Sequence, residues 1–181
     1  GLAGGTVKYY NSGWKTAGVT DETGKLALDL ATLKSYTFRI TYAGASLDIK
    51  QDVSVNSTVV FRTVPVSVQL KDSLGKGLDT GTVKYYASGW KTLGTTSSGL
   101  VCKEMLPVSY TFRMTYGGAS VDLKKNIADG SAVAFQTGNV VSVSGTCDKY
   151  YASGWKTFTS GMELLPVSYT FRFNNGTADT K

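Results

Sequence analysis

The chain writes one chemically capable motif three times. Tyr9-Tyr10-Asn11-Ser12-Gly13-Trp14-Lys15-Thr16 returns as Tyr85-Tyr86-Ala87-Ser88-Gly89-Trp90-Lys91-Thr92 and as Tyr150-Tyr151-Ala152-Ser153-Gly154-Trp155-Lys156-Thr157. Tyr and Trp rings stack on the flat C–H faces of sugars, and Lys and Ser supply hydrogen bonds. A glycan site would therefore use Tyr10, Trp14 and Lys15, then Tyr86, Trp90 and Lys91, then Tyr151, Trp155 and Lys156. Three such sites in one chain would raise avidity through effective concentration. The same residues also fit a structural reading. In Val83-Lys84-Tyr85-Tyr86, alternation puts Val83 and Tyr85 on one face and Lys84 and Tyr86 on the other. One Tyr is then core, Trp90 closes the core, and Ser-Gly turns the chain between strands.

Catalytic chemistry finds little to work with. The 181 residues include no His. That removes Ser-His-Asp and Cys-His nucleophiles, His-bearing zinc sites and the usual base near neutral pH. The two Cys, Cys102 and Cys147, sit at non-equivalent points of the repeat and read as isolated small core residues rather than a disulfide. Among 13 acidic residues the one repeated position is Glu104 with Glu163. Asp21-Glu22 and Asp72 fall in turn-like loops, as solvated turn carboxylates do. No Gly-rich phosphate loop is present. No enzymatic activity and no cofactor or metal are expected.

The wider composition agrees with an exported β protein. Hydrophobic residues make up 41% and charged residues 18%, with 11 Tyr and 21 Gly but 3 Pro. This combination suits strands joined by tight turns around a packed core. A net charge of +6 permits weak attraction to acidic polysaccharide. The basic residues are scattered, so no nucleic-acid patch is expected. No apolar run reaches the length of a transmembrane helix. The chain begins at Gly1 without Met or signal peptide, which suggests a processed or excised piece. Asn56-Ser57-Thr58 and Asn175-Gly176-Thr177 fit the glycosylation sequon and favour an extracellular or cell-surface location.

The elements that position the motif form a longer repeat. Ser35-Tyr36-Thr37-Phe38-Arg39 recurs as Ser109-Tyr110-Thr111-Phe112-Arg113 and Ser168-Tyr169-Thr170-Phe171-Arg172. The spacing is 76 residues from Tyr9 to Tyr85 and 65 from Tyr86 to Tyr151, the size of small domains rather than solenoid turns. The third copy carries one inserted residue in Cys147-Asp148-Lys149 and a shortened linker and first strand. The expected units are 1–63 (lacking a first strand), 64–137 (complete) and 138–181 (shortened, lacking its last strands). Copy two shows about seven strands: Val66–Leu70, Thr82–Tyr86, one from Trp90, Gly99–Glu104, Tyr110–Tyr116, Ser120–Lys124 and Ala132–Gln136. The period-two alternation of Tyr110, Phe112, Met114 and Tyr116 with Thr111, Arg113 and Thr115 marks a half-buried strand whose Arg faces solvent, as do Arg39 and Arg172. The fold class is all-β, with tandem immunoglobulin-like sandwiches and incomplete terminal copies.

Leu106-Pro107-Val108-Ser109-Tyr110 and Leu165-Pro166-Val167-Ser168-Tyr169 resemble the Leu-Pro-x-x-Tyr signature of bacterial Cna-B and carboxypeptidase-regulatory-like modules. Val68–Asp72 followed by Gly81-Thr82-Val83 resembles their first two strands. Where a Gly usually follows the Pro, Val108 and Val167 stand. The resemblance implies prealbumin-like or immunoglobulin-like modules strung as stalks, spacers and adhesins. It also implies an internal Lys-to-Asn isopeptide bond promoted by a buried Glu. Lys71 could serve as the Lys, but Ile40, Met114 and Phe173 occupy the Glu position, so the crosslink is not expected.

The leading expectation is thus an extracellular structural or adhesive repeat protein, its partner being itself or other surface proteins. The missing strands are completed either by neighbouring subunits, giving a head-to-tail filament through strand complementation, or by sequence outside the chain. The alternatives are a carbohydrate-binding accessory module and a plain spacer.

Overall fold

A computed structural model describes residues 1–31, 34–142 and 147–173. The protein is all-β. Its strands are β1 (Thr6–Tyr10), β2 (Trp14–Val19), β3 (Ser35–Tyr42), β4 (Ala45–Asp52), β5 (Val64–Lys71), β6 (Thr82–Tyr86), β7 (Trp90–Thr95) and β8 (Leu100–Met105). They continue with β9 (Ser109–Tyr116), β10 (Ala119–Asn126), β11 (Ala132–Gln136), β12 (Gly138–Val140), β13 (Cys147–Tyr151), β14 (Trp155–Thr157), β15 (Met162–Leu164) and β16 (Thr170–Phe173). A 3-10 turn at Ile127–Asp129 interrupts the series. No helix of the described residues is long and apolar enough to cross a membrane.

Residues 64–137 form a sandwich of two sheets, ordered β10-β9-β6-β7 and β11-β5-β8. Alternation decides what enters the core between them. Val66, Val68 and Leu70 of β5 are fully buried and meet Val83 of β6 and Phe112 and Met114 of β9 in one cluster. Each such side chain contributes about 1.5–3 kcal/mol relative to exposure. Strand β5 pairs antiparallel with β8 and parallel with β11, so it is the middle of its sheet.

Residues 1–63 carry the first sheet alone, ordered β2-β1-β3-β4. Leu26–Leu30 and Thr58–Arg62 align with β8 and β11, yet neither forms a strand. Among the described residues no strand stands between them as β5 stands between β8 and β11, so neither segment has a ladder to join. Between them lies an open apolar groove of about 1190 Å³, lined by Leu26, Leu28, Leu30, Phe38, Ile40 and Phe61 among others. Residues 147–173 keep a three-stranded sheet, β14-β13-β16, and β12 pairs with β15.

Two expectations need correction. Trp90 does not close the core. Cross-strand pairing with Tyr86 places it on the outer face, 40% exposed, with Trp14 at 40% and Trp155 at 50%. Cys102 is not a core residue either. It sits opposite Ser67 on the solvent face of β8 as an exposed free thiol, while Cys147 is half-buried and also free. In both cases the strand register, not residue polarity, decides the side. The sequon at Asn175 and the Gly145-Thr146 pair, which precedes the third motif as Gly81-Thr82 precedes the second, lie outside the described residues.

Candidate functional site

Each repeated motif is a hairpin: β1 with β2, β6 with β7, β13 with β14. A three-residue connection closes it, with positive φ at Ser12, Ser88 and Ser153 and at the glycine that follows. The hairpin splits the predicted site in two. Strand alternation sends the second Tyr and the Trp outward, and the first Tyr inward.

On the outer face, Tyr86 meets Trp90 edge-on at 5.5 Å between ring centroids. The Arg113 guanidinium lies 4.2 Å over the Trp90 ring and grips Asp122 with both a 2.7 Å Nε and a 2.7 Å Nη2 hydrogen bond. Copy one repeats the arrangement with Tyr10, Trp14, Arg39 and Asp48, Arg39 lying 4.2 Å over Trp14. In copy three the carboxylate comes from the inserted Asp148. It accepts from Arg172 at 2.8 Å, and Arg172 sits 6.0 Å from the Trp155 ring, whose Tyr151 partner keeps its place. Hydrogen bonding from Arg holds the carboxyls of Asp48, Asp122 and Asp148 below the ordinary carboxylate range. Each cluster thus satisfies itself: the Arg covers one Trp face, and the carboxylate neutralises the Arg.

The inward half makes a joint between copies. The Tyr85 hydroxyl donates to the Ala43 carbonyl at 3.0 Å, and Ser88 Oγ lies 3.2 Å from the Gly44 carbonyl. Tyr150 donates to the Gly117 carbonyl at 2.9 Å, and Ser153 Oγ lies 3.1 Å from the Gly118 carbonyl. The same atoms recur in both joints. Gly44 and Gly118 are required there: φ is +87° and +86°, and a Cβ would stand 2.3 Å from Lys91 Cε or Lys156 Cε respectively. The predicted glycan-binding Lys91 and Lys156 therefore pack on the preceding copy's turn, away from the Tyr–Trp pair. Burial raises the pKa of Tyr85 and Tyr150, with smaller contributions from Tyr42 and Tyr116 across the joints. Ala45 and Ala119, just past the turns, join the core of the following copy.

Glu163 locks the second joint further. Its carboxylate accepts from Ser73 N at 3.0 Å and Ser73 Oγ at 2.6 Å, and from Thr137 Oγ1 and Asn139 Nδ2. Desolvation pushes its pKa up, but these hydrogen bonds outweigh that and leave it lowered. The carboxylate of Glu104, its sequence counterpart, has no hydrogen-bond partner among the described residues.

The sequence motif offered Tyr10, Tyr86 and Tyr151 as ligand contacts and read Tyr85 and Tyr150 as core and Ser88 and Ser153 as turn, without their contact to the preceding copy. The signal was available: Tyr42-Ala43-Gly44-Ala45-Ser46 returns as Tyr116-Gly117-Gly118-Ala119-Ser120. Asp21 and Asp72 organise turns, each accepting two backbone N–H bonds through one carboxylate oxygen. Among the described residues no three His, Cys, Asp or Glu side chains converge on a metal position. No model of a known protein family matches this chain, and no curated protein matches it.

Proposed function

We propose that this chain is an extracellular structural or adhesive repeat protein whose copies stack turn against motif and which assembles head to tail through strand complementation. The observation that carries the reading is the joint, built twice from the same residues at nearly the same distances. A hydroxyl-to-turn contact with a glycine that tolerates no Cβ serves to fix one copy against the next, which a stalk or filament needs. The resemblance to Cna-B-type surface modules agrees with this reading, as does the self-satisfied chemistry of the exposed aromatic clusters. Electron microscopy of the purified chain tests the assembly. Ordered fibres with an axial repeat near the subunit length support it; dispersed single particles at every concentration retire it.

A second reading rests on the outward Trp14, Trp90 and Trp155, whose free faces remain open to a sugar ring. A carbohydrate-binding module would show quenching of Trp fluorescence with a soluble polysaccharide. An unchanged signal across neutral and acidic glycans removes it.

A further inference from the structure

The two sheets of copy two turn chemically different faces outward. Across β5, β8 and β11 the outward row holds Ser67, Gln69, Ala134 and Gln136, with one Lys71 against one Glu104 and no aromatic ring. Across β10, β9, β6 and β7 the outward side chains are aromatic and cationic, and strand register sets them in rows. Trp90, Tyr86, Thr111 and Lys124 stand side by side in one row, and Thr92, Lys84, Arg113 and Asp122 in the next. The first row crosses three strand spacings, about 14 Å. Copy one builds the same rows from Trp14, Tyr10, Thr37 and Lys50 and from Thr16, Lys8, Arg39 and Asp48.

The charges on this face do not cancel. Arg113 spends Nε and Nη2 on Asp122, and its Nη1 has no partner among the described residues. Lys84 and Lys124 are exposed, as are Lys8 and Lys50 in copy one, and none of the four forms an ion pair among the described residues. Three cations therefore accompany one carboxylate in each copy. Between them, Tyr86 meets Trp90 at 76° and Tyr10 meets Trp14 at 75°, a corner that offers a flat ligand one ring face and one ring edge.

We infer that this sheet face binds an anionic polysaccharide. The aromatic corner takes the C–H face of a sugar ring, and Lys84, Lys124 and the open Nη1 of Arg113 take its carboxylate or sulfate groups. This rests on the carbohydrate-binding reading above and names its ligand class. A neutral glycan engages the rings and leaves the lysines unanswered, whereas an acidic sugar answers both. The lysine of the linear motif, Lys91, packs on the preceding turn. Cross-strand register supplies Lys84 and Lys124 in its place.

The test titrates the whole chain with polygalacturonate, dextran sulfate and neutral dextran, read by Trp fluorescence and by calorimetry. A polyanion should bind and quench, with affinity falling as salt rises, and neutral dextran should quench far less. The tighter of the two polyanions identifies the anionic group. Together, K8Q, K50Q, K84Q and K124Q should weaken binding about ten-fold or more. A control with K25Q, K71Q, K76Q and K103Q removes the same charge from outside the face and should stay within about two-fold of the parent. Circular dichroism checks that both variants keep the fold. Equal losses in the two variants, or polyanion binding without quenching, reduce the attraction to net charge and overturn the inference. Quenching by dextran as strong as by either polyanion overturns it and keeps the carbohydrate-binding reading. No quenching by any polymer removes both. Tighter binding of an oligothymidylate, lost in the face variant, overturns the glycan assignment in favour of nucleic acid.

Discussion

At the residue scale, the paired tyrosines of each module perform different tasks because strand geometry separates neighbours by half a turn of the pleat. Tyr110 and Tyr169 add a third role. Each sits inside its module and donates its hydroxyl to a carbonyl four residues back, Leu106 at 3.1 Å and Leu165 at 3.0 Å. Burial, with a neighbouring tyrosine, raises both pKa values to about 12. The unfolded chain ionises its tyrosines near 10, so this stability is intact below about pH 10 and drains away as pH climbs through about 12. Tyrosinate absorbance followed alongside circular dichroism should show ionisation of these two groups coinciding with unfolding. Tyr110→Phe should lower stability by about 0.5–1.5 kcal/mol, the net worth of one hydrogen bond, since the Leu106 carbonyl still accepts from the Val108 N–H, and should flatten the alkaline limb. Denaturant unfolding monitored at neutral and alkaline pH reads both effects.

At the element scale, copies one and two carry nearly the same strands in sequence but not in structure. A strand is a relation between backbones, and Leu26–Leu30 lacks the relation that Leu100–Met105 has. Native-state hydrogen exchange of the chain alone should therefore show fast exchange across 26–30 and 58–62. Amides of β8 and β11 that donate into the ladder with β5 should be protected several orders of magnitude more strongly. Comparable protection in the two copies would contradict the missing-strand account. Asp148 shows the opposite kind of compensation. Copy three has no strand beside β16 to supply the Asp122 equivalent among the described residues, and the inserted residue brings a carboxylate from β13 instead.

At the scale of the whole molecule, the joints couple the copies. Gly118→Val places a Cβ 2.3 Å from Lys156 Cε and 2.7 Å from the Ala152 carbonyl, at a φ of +86°. Backbone strain alone costs of order 1–3 kcal/mol. The control is Gly130→Ala, at φ +140° with nothing within 4 Å, which strains the backbone without touching a neighbour. Small-angle scattering should show the first variant gaining inter-copy freedom and the second retaining the parent profile. Glu163 makes the second joint pH-sensitive. Its lowered pKa means that the contribution is present above the ordinary Glu range and lost as pH falls through the folded value, below about 4.5. Scattering on an acid titration should show the joint loosening there, and Glu163→Gln should shift that loosening out of the titration by weakening the joint at neutral pH.

Much of the architecture was legible from the residues alone. Alternation in Tyr110–Tyr116 located β9 and its outward Arg113, and the seven strands of copy two fell where their apolar periodicity and turns put them. The repeat itself, and the shared face of Val83 and Tyr85, needed only the pattern. Tertiary structure decided the rest, for reasons that pattern cannot encode. Trp90 is as apolar as a core residue, but register opposite Tyr86 turned it outward under Arg113. Cys102 went outward for the same reason. Leu26-Ala27-Leu28-Asp29-Leu30 reads as a strand and is not one, because pairing depends on a neighbour far along the chain. The inward half of the motif is half a joint, because its partner is a glycine turn in the preceding copy, over thirty residues away. Local sequence fixes which side chains share a face; only the folded chain determines what that face meets.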